Sequence, residues 1–238
     1  MYYVALVIGE LLILLILSDR IGKILYTIFF LIFRSKNAAI GLLTFIYLPG
    51  TVIHELGHLL TAEILRVPTG PLSFTPEFDT NKHGQTDIQI GSVKIAKTDP
   101  LRKYLIGVAP VFVGIFFLYL LVWIFEKYWP GITDSLPRWL FLSLIAYLLF
   151  AVSNNMFSSK KDLEGFILVV PIVIFVIATI YFAGIRINLT PQTTENLIHL
   201  FQILAKALGI VTGINIAILL FNILFFRGLL KLFHLQIK

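Results

Sequence analysis

The chain is 238 residues long, 58% hydrophobic and 13% charged, with no cysteine and a formal net charge of +6. That balance excludes an ordinary soluble domain, and the lack of cysteine excludes disulfides and thiolate metal sites, so any metal must be held by nitrogen and oxygen. The basic residues are scattered through short polar segments between apolar runs, a pattern of membrane topology and not of a nucleic-acid surface.

The apolar runs predict an all-α polytopic membrane protein, with about six or seven transmembrane helices of ~20 residues each and a small β-hairpin loop. Three parts are expected: N-terminal membrane segment(s) over 1–37, a core over 38–165 with a hairpin loop at 67–100, and C-terminal membrane helices over 166–238. The first two runs, 3–17 and 24–33, flank SDRIGK and form either a tight helical hairpin or one long helix with a polar belt. Neither a basic leading region nor an A-x-A-like cleavage site precedes them, so the first run reads as a retained span. Glu10 within it is better explained as a protonated or hydrogen-bonded packing residue than as a site residue, because nothing near it in sequence completes a site.

The run over 38–65 contains Pro49 and Gly50, which are expected to kink or restart the helix. Immediately afterwards TVIHELGHLLTAEIL carries His54, Glu55 and His58 in the pattern H-E-x-x-H. Helical residues four apart lie on one face, so the two histidines can offer imidazole nitrogens to one metal ion. Glu55 beside them can take a proton from water activated there, the division of labour of metal-assisted hydrolysis. Two histidines and a glutamate can also be hydrogen-bonded core groups, but ionisable side chains at membrane depth are expensive and by default functional.

Residues 67–100 form the one long polar stretch, with Pro68, Pro71 and Pro76 against a continuous helix. Within it TDIQIGSVKIA alternates around Gly91 and Ser92, which predicts a hairpin turning at that pair. Such a hairpin could hold a substrate strand by edge pairing or simply plug the mouth of a cavity. His83 in this loop is a weak ligand candidate. A span over 104–125 follows, whose Gly107, Ala109, Pro110 and Gly114 suit close packing against the H-E-x-x-H helix.

A further span over 139–152 leads into SNNMFSSKKDLEG, a compact polar group. Asp162 is the candidate third ligand there, since a hydrolytic zinc commonly has three protein ligands and one open position; Glu164 is the runner-up. Asn154 and Asn155 can hydrogen-bond a substrate carbonyl or cap the helix end. Next come a span over 166–182, an amphipathic segment TPQTTENLIHLFQILAKAL expected to lie along the interface, and a last span over 209–226. His199 reads as an interfacial residue.

Together HELGH and the Asn154 to Asp162 group resemble the site-2 protease family of intramembrane zinc metalloproteases. The resemblance covers about 38–165, and the Ala109-Pro110 pair is similar to the family's intervening helix. It implies that His54, His58 and Asp162 bind Zn2+, that Glu55 activates water and that Asn154 engages the substrate backbone. The second motif departs from the family by lacking its prolines and the glycine directly after the aspartate. The chain also has no room for the PDZ domain of many bacterial members, so gating would fall to membrane segments or to the hairpin.

Charge placement sets an expected orientation. With the 67–100 loop inside, Arg66, Lys82, Lys94, Lys97, Arg102 and Lys103 fall on the cytoplasmic face, as do Lys160, Lys161, Arg227 and Lys231. The expected function is intramembrane zinc metalloproteolysis of transmembrane protein substrates in the lipid bilayer of the cell membrane, with the site toward the cytoplasmic side. A non-catalytic scaffold or transporter retaining a metal-binding histidine pair is the alternative, although no internal repeat supports a transporter.

Overall fold

The computed structural model describes residues 2–80, 86–157, 171, 175–176, 178–180, 182–184 and 190–232. Helix α1, Tyr2–Phe33, is joined to α2, Lys36–Ile64, through Arg34, whose φ of 51° turns the chain sharply. Strands β1, Thr69–Thr80, and β2, Thr86–Ile95, form an antiparallel pair. Three helices follow: α3, Pro100–Tyr128; α4, Ser135–Asn155; and α5, Pro191–Leu232. Among the described residues four helices, all but α1, are long and apolar enough to cross a membrane.

Two polar interruptions in the apolar pattern do not end a helix. The 3–17 and 24–33 runs belong to the single 32-residue α1, the long-helix alternative. No proline interrupts the polar belt, and the Lys23 ammonium donates to Asp19 one turn earlier at 2.7 Å, so charged side chains satisfy each other without ending the helix. Similarly, the amphipathic segment and the last span are one 42-residue helix, a correction to their reading as separate elements. At ~1.5 Å per residue α5 is ~63 Å long, about twice the hydrocarbon thickness. The expected span over 166–182 lies largely outside the described residues.

Helix α2 likewise runs unbroken through Pro49, where a restart or kink was expected. A proline strips a carbonyl one turn back of its donor, and in a membrane neighbouring helices can make good such losses. The carbonyl that Pro49 deprives is that of Phe45; α4 braces the two that follow it, the Tyr147 hydroxyl donating to the Ile46 carbonyl at 3.1 Å and the Asn155 amide to the Tyr47 carbonyl at 3.4 Å.

The hairpin also differs from expectation. Gly91 and Ser92 lie inside β2, with Ser92 opposite Ser73, and the strands reverse between Thr80 and Thr86. A bulge on β1 between Ser73 and Pro76 faces Gly91, whose φ is +89°. That bend shifts the phase of the alternation by one residue, which in sequence is indistinguishable from a two-residue turn.

Helices α2, α3 and α4 pack as a close trio. Gly57 of α2 meets Pro110 of α3, Gly50 meets the Ala151 carbonyl of α4, and Gly114 of α3 meets Met156. The main apolar core joins Leu14 of α1, Leu118 of α3, Val152 of α4 and Leu208 and Val211 of α5, all nearly fully buried. Large apolar side chains such as Phe45, Phe112, Phe116 and Phe221 point outward instead, while Thr51, His54, Glu55, Asn154 and Asn215 are buried. Polar groups inside and apolar groups outside is the distribution lipid requires.

Candidate metal centre

One helical turn of α2 brings the motif together. His54 is 3% exposed, Glu55 1% and His58 8%, so three ionisable groups lie deep in an apolar bundle. The two Nε2 atoms are 3.1 Å apart, with the imidazole planes at 84° to each other. Two nitrogens bound to one tetrahedral zinc at ~2.0–2.1 Å would stand ~3.3 Å apart, so the pair fits a shared ion.

The orientation of His58 has a covalent origin in α3. In an α-helix the Ile106 carbonyl would accept the N–H of residue 110, but Pro110 has none. The carbonyl so released lies 2.9 Å from His58 Nδ1 and accepts its hydrogen. That fixes the tautomer: with Nδ1 protonated, Nε2 carries the lone pair on the side of His54. Metal-binding histidines are commonly held by such a carbonyl. Gly57 permits the approach, since a Cβ there would lie 3.0 Å from Pro110 Cα and 3.2 Å from its nitrogen.

Glu55 is backed by the hairpin. A Cβ on Gly91 would lie 3.2 Å from Glu55 Oε1 and 2.6 Å from Thr51 Cγ2, so only glycine lets β2 come this close. Thr51, one turn before Glu55, has its hydroxyl 3.1 Å from the Tyr47 carbonyl and 3.2 Å from Asn155 Oδ1. Asn155 Nδ2 in turn donates to the Ala151 carbonyl at 2.8 Å. The last turn of α4 is therefore bolted to the turn of α2 that precedes the histidines.

Asn154 sits on the other side of that last turn, 8% exposed. Its Nδ2 donates to the Phe150 carbonyl at 2.8 Å and to Asn215 Oδ1 of α5 at 2.6 Å. Asn215 Nδ2 donates to Ser153 Oγ at 2.9 Å and to the Val211 carbonyl at 3.0 Å. With both its hydrogens engaged, Asn154 has an acceptor and no donor left for a substrate. Asp162, Glu164 and His83 lie outside the described residues, whereas His199 is exposed on α5. Among the described residues no group of three or more His, Asp or Glu side chains is placed to hold a metal. Glu10 faces α5, its Oε1 3.1 Å from where a Cβ on Gly209 would lie, well apart in sequence from the motif.

Sequence reading missed Thr51, Asn215 and the hairpin's Gly91. A signal existed for Asn215, which with Asn222 is one of two amides in an apolar run and by the cost of burying polar groups in lipid merits the same attention as Glu10. Gly91 carried none, because nothing local says what a glycine lies against. Comparison with protein-family models, curated proteins and solved structures returns no match, so the site is read from its own geometry. The fold and site together define an apolar helical bundle, suited to a bilayer, around a buried His-Glu-His turn.

Proposed function

We propose that the protein is an intramembrane zinc metallopeptidase that hydrolyses peptide bonds in or near transmembrane segments of other proteins. The observation that carries this reading is the facing pair of histidine Nε2 atoms, 3.1 Å apart, with His58 held in the metal-binding tautomer by the Ile106 carbonyl. The resemblance of HELGH and the later Asn154 to Asp162 group to the site-2 proteases supports it. His54 and His58 would hold the zinc with Asp162, or with Glu164 in its place. When bound, the metal would polarise the scissile carbonyl and make water a stronger acid near neutral pH.

The chain's own residues carry the rest. Glu55 accepts the proton of the attacking water and passes it to the leaving amine. Its burial keeps the carboxylate from bulk water, and Gly91 of β2 closes one side of it. A substrate helix hides its carbonyls in its own hydrogen bonds, so cleavage requires local unwinding, and preference should follow helix instability more than side-chain identity. The site would open toward the cytoplasmic side of the cell membrane, following the bias of basic residues.

The deciding experiment measures the zinc content of detergent-purified protein beside His54→Ala, Glu55→Gln, Asp162→Ala and Glu164→Ala, with cleavage of a helical model substrate. About one zinc per chain retained in Glu55→Gln, lost in His54→Ala and in one of the two carboxylate variants, with cleavage abolished in Glu55→Gln, is the expected result. No zinc, or cleavage indifferent to Glu55, would transfer the chain to the scaffold or transporter reading.

A further inference from the structure

We propose that the junction of α3 and α4 is a binding site for an anionic phospholipid, whose phosphate is taken by Arg138 and Lys127 at that end of the bundle. The inference is independent of the metal site and of the metallopeptidase reading.

The sequence concentrates interfacial side chains at this junction. All three tryptophans of the chain, Trp123, Trp129 and Trp139, fall between the last two turns of α3 and the first two of α4, with Tyr128 among them. Trp123, Tyr128 and Trp139 are all exposed. Amphipathic rings of this kind settle at the level of lipid headgroups. The junction therefore lies where phosphates are, whichever face of the membrane it occupies.

Two cations are built into the belt. Arg138 Cζ lies 4.3 Å from the centroid of the Trp129 ring, which is itself 5.0 Å from the Phe125 ring, so the guanidinium rests on a fixed surface. Lys127 Nζ lies over Trp123 at 4.7 Å and over Tyr128 at 5.4 Å. Nearby carboxylates do not neutralise them. Glu126, next to Lys127, is taken by Lys206 at 2.5 Å, and Asp134, one turn before Arg138, forms no ion pair with it. Among the described residues neither cation has a carboxylate partner or a side-chain hydrogen bond. A ring face attracts a cation without accepting its N–H groups as a carboxylate would, so these donors stay available. The forked donors of an arginine match two oxygens of one phosphate.

The surroundings select a lipid as the bearer of that phosphate. Deeper along the same two helices, Leu140 and Leu144 of α4 and Phe116 of α3 are exposed, which is where acyl chains run. A zwitterionic headgroup brings its own ammonium to its phosphate. A headgroup of net negative charge has no such internal partner and gains most from two unpaired cations.

The tryptophans supply the readout. The chain has none elsewhere, so quenching by phosphatidylcholine brominated in its acyl chains reports on this junction alone. Protein reconstituted in that lipid is mixed with unbrominated phosphatidylglycerol or, for reference, unbrominated phosphatidylcholine, and the recovery of fluorescence gives their relative affinity. Phosphatidylglycerol is expected to be preferred about twentyfold, each of Lys127→Gln and Arg138→Gln to cut that preference about fivefold, and the double variant to bring it near parity. Lys97→Gln removes the same charge at the other end of α3 and should leave the preference intact. Native protein that treats the two lipids alike, a preference that survives the double variant, or one that falls equally in Lys97→Gln overturns the proposal. So does loss of the preference in inorganic phosphate at constant ionic strength, which would assign the two cations to a soluble anion.

Discussion

Pro110 acts on the site without touching it. By withholding an N–H from the Ile106 carbonyl it leaves that oxygen for His58 Nδ1, at 2.9 Å. Pro110→Ala restores a competing donor within α3. Loss of a partner that orients a metal-binding histidine commonly lowers affinity 10–100-fold. Zinc affinity measured by chelator competition should therefore fall by about that range in Pro110→Ala, while Glu55→Gln, which alters no ligand, should leave it near the starting value. Equal affinity in Pro110→Ala would mean that the carbonyl contact does not orient the ring. The histidines and glutamate were legible in sequence because one helical turn places them whatever the rest of the chain does. Pro110 was visible too, as a packing feature, but its effect on His58 needed the knowledge that α3 lies against α2 at Gly57.

At the scale of helices, glycines set how closely the trio packs. A Cβ on Gly50 would collide with the Ala151 carbonyl and lie 2.7 Å from Asn155 Nδ2, with backbone on the other side that cannot swing away. Gly50→Ala should therefore destabilise the protein by about 1–3 kcal/mol, the usual range for overpacking, and should loosen the Thr51 to Asn155 bond along with it. Gly57→Ala, with its nearest contact at 3.0 Å, should cost less in stability and show itself mainly in zinc affinity, because it displaces Ile106 from His58. Thermal unfolding in detergent and chelator competition separate the two effects.

The start of α3 gives a pH-dependent counterpart. Asp99 caps this helix by accepting the Arg102 N–H at 3.0 Å, and that bond holds its carboxyl below the usual value of 3.8. A carboxyl more acidic folded than unfolded contributes stability that is present above the unfolded value and lost as pH falls through the folded one. Unfolding midpoints followed from about pH 6 to pH 3 should drop more steeply for the native chain than for Asp99→Asn, which caps without titrating. Parallel profiles would show that the cap does not govern the start of α3.

Across the whole molecule, the class of fold was legible and its joints were not. Apolar content and run length announce a membrane bundle, since lipid imposes the same demand on every span. Where helices begin and end was harder, because the signals used for breaks have local remedies: Lys23 reaches Asp19 across the polar belt, and Tyr147 and Asn155 donate to α2 near Pro49. The orientation of the bundle is a prediction of the same kind as the first, set by charge and not by packing. Helix α3 separates Lys97, just before it, from Ser135, just after the 3-10 turn at Trp129–Gly131 that links it to α4. A chain free of cysteine allows each side to be marked by one substitution. In sealed cells, a membrane-impermeant maleimide should label Ser135→Cys and spare Lys97→Cys until the membrane is opened, as the positive-inside bias requires. Labelling in the reverse order would place the hairpin outside and the proposed site toward the other face; equal labelling of both would mean that α3 does not cross, and with it the intramembrane reading would fall.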